Sequence, residues 1–552
     1  MRSHQTIPEQ EASSGTVPAQ EPPFYNCHTH IFNFEHVNSG FLKGMIPLWV
    51  GLTAFILAAS AGCLIYNIIS SFLSYEWYWK VFTGILVILL LVGFVLLLLL
   101  FLVSIFPVSV DKLLRRNRIR RIIWFLQKII PGEFDSLERY ANFILHAHDI
   151  AKGKPKPQRE ILETLQSYFP ERTRFVLLSM DLDYMVDNRN QQTSTTYYNQ
   201  LEDLKVLKND PYFKDKKTGE DLLFPFIHAD PRRLTKDKGF FEYMKDGLLS
   251  GDFSGIKLYP PLGYFPFDIR LKPVYDLALK HNLPVLVHCS MGPVYYRGKV
   301  NTMRNEGYYA QGKFIHPITG NVLCGKKPGE FTPHFTHPLN YYFLMNCPGK
   351  LAEYWNRCMQ ERYFDLEGLP MGEFTEEYLK DYSNLKICLG HYGGTLEWRR
   401  YLDNAWLPKE RIDFSDAEFM KNIFHGKNGM WKYLPNNGSN AGCKRKNDLK
   451  AMNWFSIVSE LLKLNGEDQN MALFPNLYAD ISYNLSEESI LPLLKVRLET
   501  DMQIRNKILF GTDFYMVAME MTERRATINM RAFIGEDNFR QIAVENPKRF
   551  LL

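Results

Sequence analysis

Short apolar runs alternate with helical stretches over most of the chain. Eight runs have the length and composition of strands buried on both faces: 24–32, 174–182, 223–230, 253–261, 283–290, 385–393, 477–484 and 506–515. Such strands, separated by helices, are typical of a parallel sheet, and eight units predict a closed (β/α)8 TIM-type barrel of the α/β class. A doubly wound sheet is the alternative, but no glycine-rich phosphate-binding turn follows the first strand.

Two longer apolar segments interrupt this pattern after the first strand. Residues 45–73 and 81–106 contain no charged side chain. A bilayer core needs about 20 apolar helical residues, so each segment is long enough to span it. A buried core helix is the alternative, but such helices rarely stay uncharged over this length. We therefore predict a transmembrane helical hairpin within residues 41–110, with the lipid bilayer as a partner.

Basic residues predict how the hairpin is oriented. The connector between the two spans has only Lys80, whereas seven basic residues follow the second span: Lys112, Arg115, Arg116, Arg118, Arg120, Arg121 and Lys128. The positive-inside rule places both flanks, and so the catalytic domain, on the cytoplasmic side of a two-span membrane protein. Isoleucines at helical spacing in this stretch fit either a helix on the membrane surface or the first helix of the soluble domain. The net charge is only +5, and the densest cluster of basic residues lies in this stretch beside the membrane. We therefore expect no nucleic-acid partner.

Composition divides the remainder of the chain. Residues 1–22 are polar and predict a disordered tail, 23–40 hold the first strand and its loop, and 111–552 hold the rest of the barrel. Insertions at about 291–384 and 395–476 are too long for simple connections, and we expect them to shape a substrate pocket or lid. Contacts between copies in a homo-oligomer are the alternative. The eight cysteines show no Cys-x-x-Cys pair, which excludes a zinc ribbon or disulfide scaffold.

Five polar side chains lie at predicted strand ends and suggest a metal site. His28 and His30 are one residue apart on the first strand and share a face; His288, His391 and Asp513 end later strands. Barrels of this kind carry their chemistry where the strands end. Three imidazoles and a carboxylate suit one Zn²⁺ with an open position for water, whose pKa the metal lowers. Asp513 could bind the metal and accept the water's proton, and His391 could donate a hydrogen bond to an oxyanion or protonate a leaving group.

The order of these motifs resembles the amidohydrolase superfamily, and more closely the branch that includes aminocarboxymuconate semialdehyde decarboxylase. The motifs are His-x-His at 28–30, Gly-Ile-Lys-Leu-Tyr at 255–259, Pro-Val-Leu-Val-His at 284–288, Leu-Gly-His-Tyr-Gly-Gly at 389–394 and Phe-Gly-Thr-Asp at 510–513. The ending at 545–551 is similar to that branch's closing helix. The resemblance implies a barrel with one divalent metal held by His28, His30, His288 and Asp513, and with His391 as a catalytic group.

The resemblance also implies the activity: hydrolysis of an amide, ester or lactone in a small molecule, or else decarboxylation of a carboxylated one. A catalytically silent membrane-bound binding protein is a third hypothesis. Lys257 matches the lysine that is carboxylated in two-metal members; here we expect one metal, with Lys257 contacting substrate or forming an ion pair. Tyr259, Arg297 and Tyr392 are the further substrate-binding candidates, Arg297 as the holder of a carboxylate. Because the hairpin follows strand one, the substrate could be membrane-proximal, or the hairpin could be only a tether.

Overall fold

The computed structural model of the protein describes residues 23–33, 148–149, 154–186, 196–292, 294–303, 309–310, 313–318, 323, 327–403, 454–464, 473–514, 517 and 520–552. The predicted tail, the predicted hairpin at 41–110 and much of the second insertion lie outside these ranges. Among the described residues, no helix has both the length and the apolar composition needed to cross a bilayer.

Eight parallel strands form one sheet, and each strand pairs with the next in chain order. They are β1 Tyr25–Thr29, β2 Arg174–Leu178, β3 Leu223–His228, β4 Gly255–Leu258, β5 Val285–His288, β6 Ile387–Gly390, β7 Leu477–Asp480 and β8 Ile508–Leu509. Every strand lies inside one of the eight predicted apolar runs. The parallel α/β architecture predicted from the sequence is therefore confirmed.

Hydrogen bonds between the first and last strands nearly close the sheet into a TIM-type barrel. The Cys27 amide donates to the Phe510 carbonyl at 2.8 Å, and the His30 amide donates to the Phe514 carbonyl at 3.2 Å. Beside them, the Asn26 side chain donates to the Thr512 hydroxyl at 2.9 Å. These contacts place the end of β1 next to the segment that follows β8.

Helices follow the strands along the chain. They are α1 Gln158–Gln166, α2 Thr196–Asn209, α3 Pro231–Lys236, α4 Phe240–Leu249, α5 Lys272–Lys280, α6 Val300–Met303, α7 Pro328–Phe335, α8 Leu339–Asn346, α9 Pro348–Gln360, α10 Glu376–Leu379, α11 Thr395–Asp403, α12 Trp454–Lys463, α13 Leu491–Thr500, α14 Met502–Arg505, α15 Glu523–Ile534, α16 Glu536–Arg540 and α17 Asn546–Leu551. Side-chain caps mark several starts: Asp501 accepts from the Ile504 amide, and Thr522 accepts from the Arg525 amide. Two short antiparallel ribbons, His148–Asp149 with Lys154–Pro155 and Tyr309–Ala310 with Lys313–Phe314, lie outside the barrel sheet.

An interior cluster of buried side chains fills the barrel. Because its members come from strands all around the sheet, they can meet only inside it: Tyr25, Cys27, Val176, Leu178, Phe226, Leu286, Cys388, Tyr478, Leu509 and Phe550. Phe550 of α17 packs on Tyr478, with 5.3 Å between ring centroids. Tyr478 is the second residue of β7 and therefore lies near the amino-terminal end of the barrel. Helix α17 closes that end and leaves the opposite end for the site.

Candidate metal centre

His28 and His30 direct one nitrogen each at the carboxylate of Asp513. The Nε2 atoms of His28 and His30 lie 3.7 Å and 3.5 Å from Asp513 Oδ1. All three side chains are buried, and the three atoms form a group lying within 4.8 Å of one another. Three of the four ligands predicted from the sequence are thus brought together at the carboxyl end of the barrel.

In both rings Nδ1 donates a hydrogen bond and so carries the proton. Nε2 is therefore unprotonated and has a lone pair. His30 Nδ1 lies 3.0 Å from the Leu178 carbonyl, which can only accept, so Nδ1 carries the proton. His28 Nδ1 lies 2.9 Å from Asp480 Oδ2 and likewise donates. His28 Nε2 has no hydrogen-bond partner among the described residues. Two imidazole lone pairs and a carboxylate oxygen, each ring oriented from behind, fit a divalent cation such as Zn²⁺.

Asp480, which the sequence analysis did not single out, organises the site. Its Oδ1 accepts from the backbone amides of His391 and Ser482, both at 3.0 Å, and its Oδ2 accepts from His28. Burial alone would raise the pKa of Asp480, but the His28 ring and the other donors hold that pKa well below its usual range. The available signal was the Asp-x-Ser pair at the end of the seventh strand, a position equivalent to the other site residues.

A second group of ligand-type atoms also lies within 4.8 Å: those of His28, His391 and Asp480. Its carboxylate already accepts hydrogen bonds from three N–H groups, and the His28 nitrogen nearest to it is protonated. The group of His28, His30 and Asp513 is therefore the better candidate for a cation.

His391 connects the candidate ligands to His288. His391 Nδ1 lies 3.2 Å from the Ser482 carbonyl and donates to it, so His391 Nε2 accepts from His288 Nδ1 at 3.0 Å. In this arrangement His288 Nε2 has the lone pair, and it lies 3.2 Å from the Ser290 hydroxyl. Burial lowers the pKa of both histidines, that of His391 to about 3, which keeps the rings neutral. Among the described residues His288 belongs to neither ligand group, although its ring contacts His391 in the same site.

The backbone at the site is unusual at three of the predicted residues, one of which is Tyr392 with φ of 45°. His391 has φ of 65° and Asp513 has φ of 60°, in the left-handed region that side chains rarely adopt. Each follows a glycine that His28 approaches closely. A Cβ on Gly511 would lie 2.7 Å from His28 Cβ, and one on Gly390 would lie 3.3 Å from His28 Cε1. The Gly-His and Gly-Thr-Asp motifs therefore combine a tight approach with a turn that redirects the functional side chain.

Lys257 lies within the barrel beside these groups. It is fully buried, and its Nζ has no hydrogen-bond partner among the described residues. Burial lowers the pKa of Lys257 to about 8, although the charges of Asp480 and Asp513 oppose the shift. Burial raises the pKa of Asp513 to about 8, with Lys257 opposing. Burial thus shifts the pKa values of this ammonium group and this carboxyl group in opposite directions.

The three remaining predicted residues have different surroundings. The Tyr259 ring contacts the His288 ring in a tilted arrangement, with 4.6 Å between ring centroids, and its hydroxyl donates to the Val294 carbonyl at 3.1 Å. The Arg297 guanidinium lies 4.9 Å from the Tyr295 ring. The Tyr392 hydroxyl pairs with Ser459 of α12 at 2.9 Å, and its ring is 1% exposed. Tyr392 therefore belongs to the packing behind β6 and is not exposed for a substrate contact.

A cavity of about 460 Å³ opens beside the site within the first insertion. Tyr295, Lys327 and Glu330 are in its wall, together with Gly292. A Cβ on Gly292 would lie 3.5 Å from His288 Nε2, so the cavity adjoins the histidine cluster. The predicted role of this insertion in forming a pocket has a structural counterpart here.

The described site can hold a divalent cation beside a buried ammonium group and a carboxyl group of raised pKa. No family model, no curated protein and no solved structure matches the chain.

Proposed function

We propose that the protein is a metal-dependent hydrolase of the amidohydrolase type, which cleaves an amide, ester or lactone bond in a small molecule. The observation that carries this proposal is the convergence of two imidazole lone pairs, on His28 and His30, with the carboxylate of Asp513. The Leu178 carbonyl and the Asp480 carboxylate orient the two rings from behind. Such outer partners are typical of functional metal sites.

The residues fit one divalent cation, for which Zn²⁺ suits the nitrogen and oxygen donors. When bound there, the cation would lower the pKa of a water molecule towards neutrality. His288, the predicted fourth ligand, lies outside the group of His28, His30 and Asp513, and its Nε2 lies beside Ser290 and the cavity.

Asp513 is suited to move a proton. Burial raises the pKa of its carboxyl group, which favours acceptance of a proton. The low pKa of His391 argues against a standing positive charge on that ring. Ser482 favours one neutral tautomer of His391, because its carbonyl accepts from Nδ1 while its hydroxyl donates to Asp480 Oδ1. Donation from His391 Nε2 to a substrate oxygen, which the sequence predicts, would require the opposite tautomer, because Nε2 here accepts from His288 Nδ1.

The cavity supports a small-molecule substrate. Its volume of about 460 Å³ is in the range of ligand pockets, and it adjoins His288. Tyr295, Lys327 and Glu330 give its wall aromatic and charged character. Decarboxylation remains a second candidate because Arg297, the predicted carboxylate holder, stacks on Tyr295 of this wall. Release of CO2, as opposed to appearance of an acid from an ester, lactone or amide, distinguishes the two reactions.

We also propose that the hairpin at 41–110 anchors the protein in a bilayer with the barrel in the cytoplasm. The two uncharged segments and the basic residues after the second span support this. A substrate at the membrane surface follows if the hairpin holds the carboxyl end of the barrel near the lipid. Excision of 43–107 with unchanged preference between soluble and detergent-solubilised substrates would leave the hairpin as a tether only.

Elemental analysis of the purified protein tests the metal assignment. We expect one divalent ion per chain, and its loss in His28→Ala and in Asp513→Ala. His316→Ala is the matched control, because His316 is also fully buried but pairs with Asn340 within the insertion. Metal retained in both site variants would overturn the ligand set. Stoichiometric metal without turnover of esters, lactones, amides or carboxylates would favour the binding-protein hypothesis.

A further inference from the structure

Two buried hydrogen-bond donors face the barrel interior from neighbouring strands. His228 ends β3 and pairs in register with Lys257 of β4. Two residues before His228, Phe226 belongs to the interior cluster, whereas Ile227 packs in the outer core. Because side chains alternate along a strand, His228 points inward. Lys257 points the same way, since Ile256 and Leu258 on either side of it are in the outer core.

Neither donor has a protein acceptor among the described residues. His228 Nδ1 accepts from the Asp181 amide at 2.8 Å, which places the ring proton on Nε2. His228 Nε2 and Lys257 Nζ then have no hydrogen-bond partner in the described part of the chain, and both side chains are fully buried. Leaving such groups unpaired away from water is costly, and more so for an ammonium. The pair is therefore arranged for an acceptor that the described part of the chain does not supply.

Nearby carboxylates are committed to other partners. Asp480 accepts from His28 and two backbone amides, and Asp513 faces His28 and His30. Asp181 and Asp230 each form a close ion pair with a neighbouring arginine, at 2.5 Å and 2.6 Å. A divalent cation at Asp513 and the Lys257 ammonium would together carry three positive charges. The carboxylates of Asp480 and Asp513 carry two negative charges, so one positive charge would be left over. A single negative charge on the substrate would balance the interior.

We propose that His228 and Lys257 form an oxyanion subsite that holds a carboxylate of the substrate. This rests on the proposed function and narrows it: the bond that is cleaved belongs to a molecule that also carries a carboxylate. His228 acts as a specificity-determining residue through Nε2–H, and Lys257 supplies the charge. The sequence analysis considered Lys257 alone.

Binding of a fluorinated carboxylate tests the subsite without relying on turnover. The probe is 3,3,3-trifluoropropionate, compared with its neutral analogue 3,3,3-trifluoropropanamide, and ¹⁹F NMR titration gives both dissociation constants. His228→Asn keeps an acceptor near the Asp181 amide but removes the Nε2 donor. His228→Gln is its matched partner, because its amide nitrogen reaches the Nε2 position. Lys257→Met removes the charge and keeps most of the apolar stem. Metal content is measured on every sample.

We expect the native protein to prefer the carboxylate over the amide, and His228→Asn and Lys257→Met to weaken carboxylate binding by about tenfold or more. His228→Gln should retain most of the affinity. Carboxylate binding that is absent, that is no tighter than amide binding, or that is unchanged in both weakening variants would overturn the subsite. Metal content reports separately on the proposed function, so loss of the ion in the native protein and failure of the subsite are distinguishable. If His228→Asn does not fold, Lys257→Met and His228→Gln carry the comparison.

Discussion

At the scale of single residues, the site depends on the Asp480 carboxylate, which accepts hydrogen bonds from two of the site histidines. Asp480 accepts from the His28 ring and from the His391 amide. It therefore fixes the tautomer of His28 and holds the turn that carries His391. Ligand side chains that lose such a partner keep their chemistry but lose their orientation.

Replacement of Asp480 by asparagine should weaken metal binding by about 10–100-fold, because the amide no longer stabilises the His28 tautomer that presents Nε2. Competition with a chelator measures the affinity. Asp268→Asn is the matched control, since Asp268 is equally buried and pairs with Arg270 instead. Equal affinity in Asp480→Asn and the native protein would remove Asp480 from the site.

A buried acid outside the ligand set should affect stability with pH. Burial raises the pKa of Glu523 to about 8 from its usual value of 4.5. Between these values the unfolded chain releases a proton that the folded chain retains, so stability falls as pH rises, by up to about 1.4 kcal/mol per unit. The substitution Glu523→Gln replaces the titratable carboxyl group with an amide that does not ionise. Its gain in stability over the native protein should therefore be near zero at pH 4.5 and grow towards pH 8, as measured by urea denaturation in detergent.

The residues that sequence reasoning missed show its limits at this scale. His28, His30, His391 and Asp513 could be found because each lies at the end of an apolar run. Strict alternation along β1 and β6 would place Cys27 and Cys388 on the opposite face from His28 and His391, yet both cysteines lie in the interior cluster. The register of β1 shifts between Asn26 and Thr29, and His391 turns through a positive φ. A shift of register and a left-handed turn depend on tertiary contacts, so local patterns do not reveal them.

At the scale of elements, the strands were predictable and the insertions were not. Near-continuous apolar runs located all eight strands, because burial on both faces leaves little room for polar side chains. In the first insertion, by contrast, no local sequence pattern indicates where the helices α7, α8 and α9 pack. For example, the buried Trp355 of α9 donates to the Phe267 carbonyl at 2.9 Å, a contact between segments 88 positions apart.

The closing helix α17 gives a test of how the barrel is sealed. Phe550→Ala should cost about 3–5 kcal/mol of unfolding free energy, because the fully buried ring fills the interior below Tyr478. Phe533→Ala on α15 should change that energy by about 0.5 kcal/mol, since its side chain is 43% exposed. Urea midpoints for both variants make the comparison. Similar losses would show that α17 does not seal the barrel.

At the scale of the whole molecule, the hairpin predicted at 41–110 separates β1 from every other strand in the chain. We expect the full chain to stay with the membrane fraction after an alkaline carbonate wash, because two spans of about 20 apolar residues or more insert stably. A chain lacking 43–107, with its ends joined by a flexible linker, should be extracted without detergent. Release of the full chain by carbonate alone would exclude the hairpin.

The contact between β1 and the segment after β8 has a consequence for synthesis. Asn26 and Thr512 are 486 positions apart, and the ligands beside them are separated by nearly as much. While the chain is on the ribosome, His28 and His30 emerge long before Asp513 exists. The proposed cation site is therefore complete only once Asp513 has been added, and we expect a nascent fragment that stops short of β8 to bind no cation.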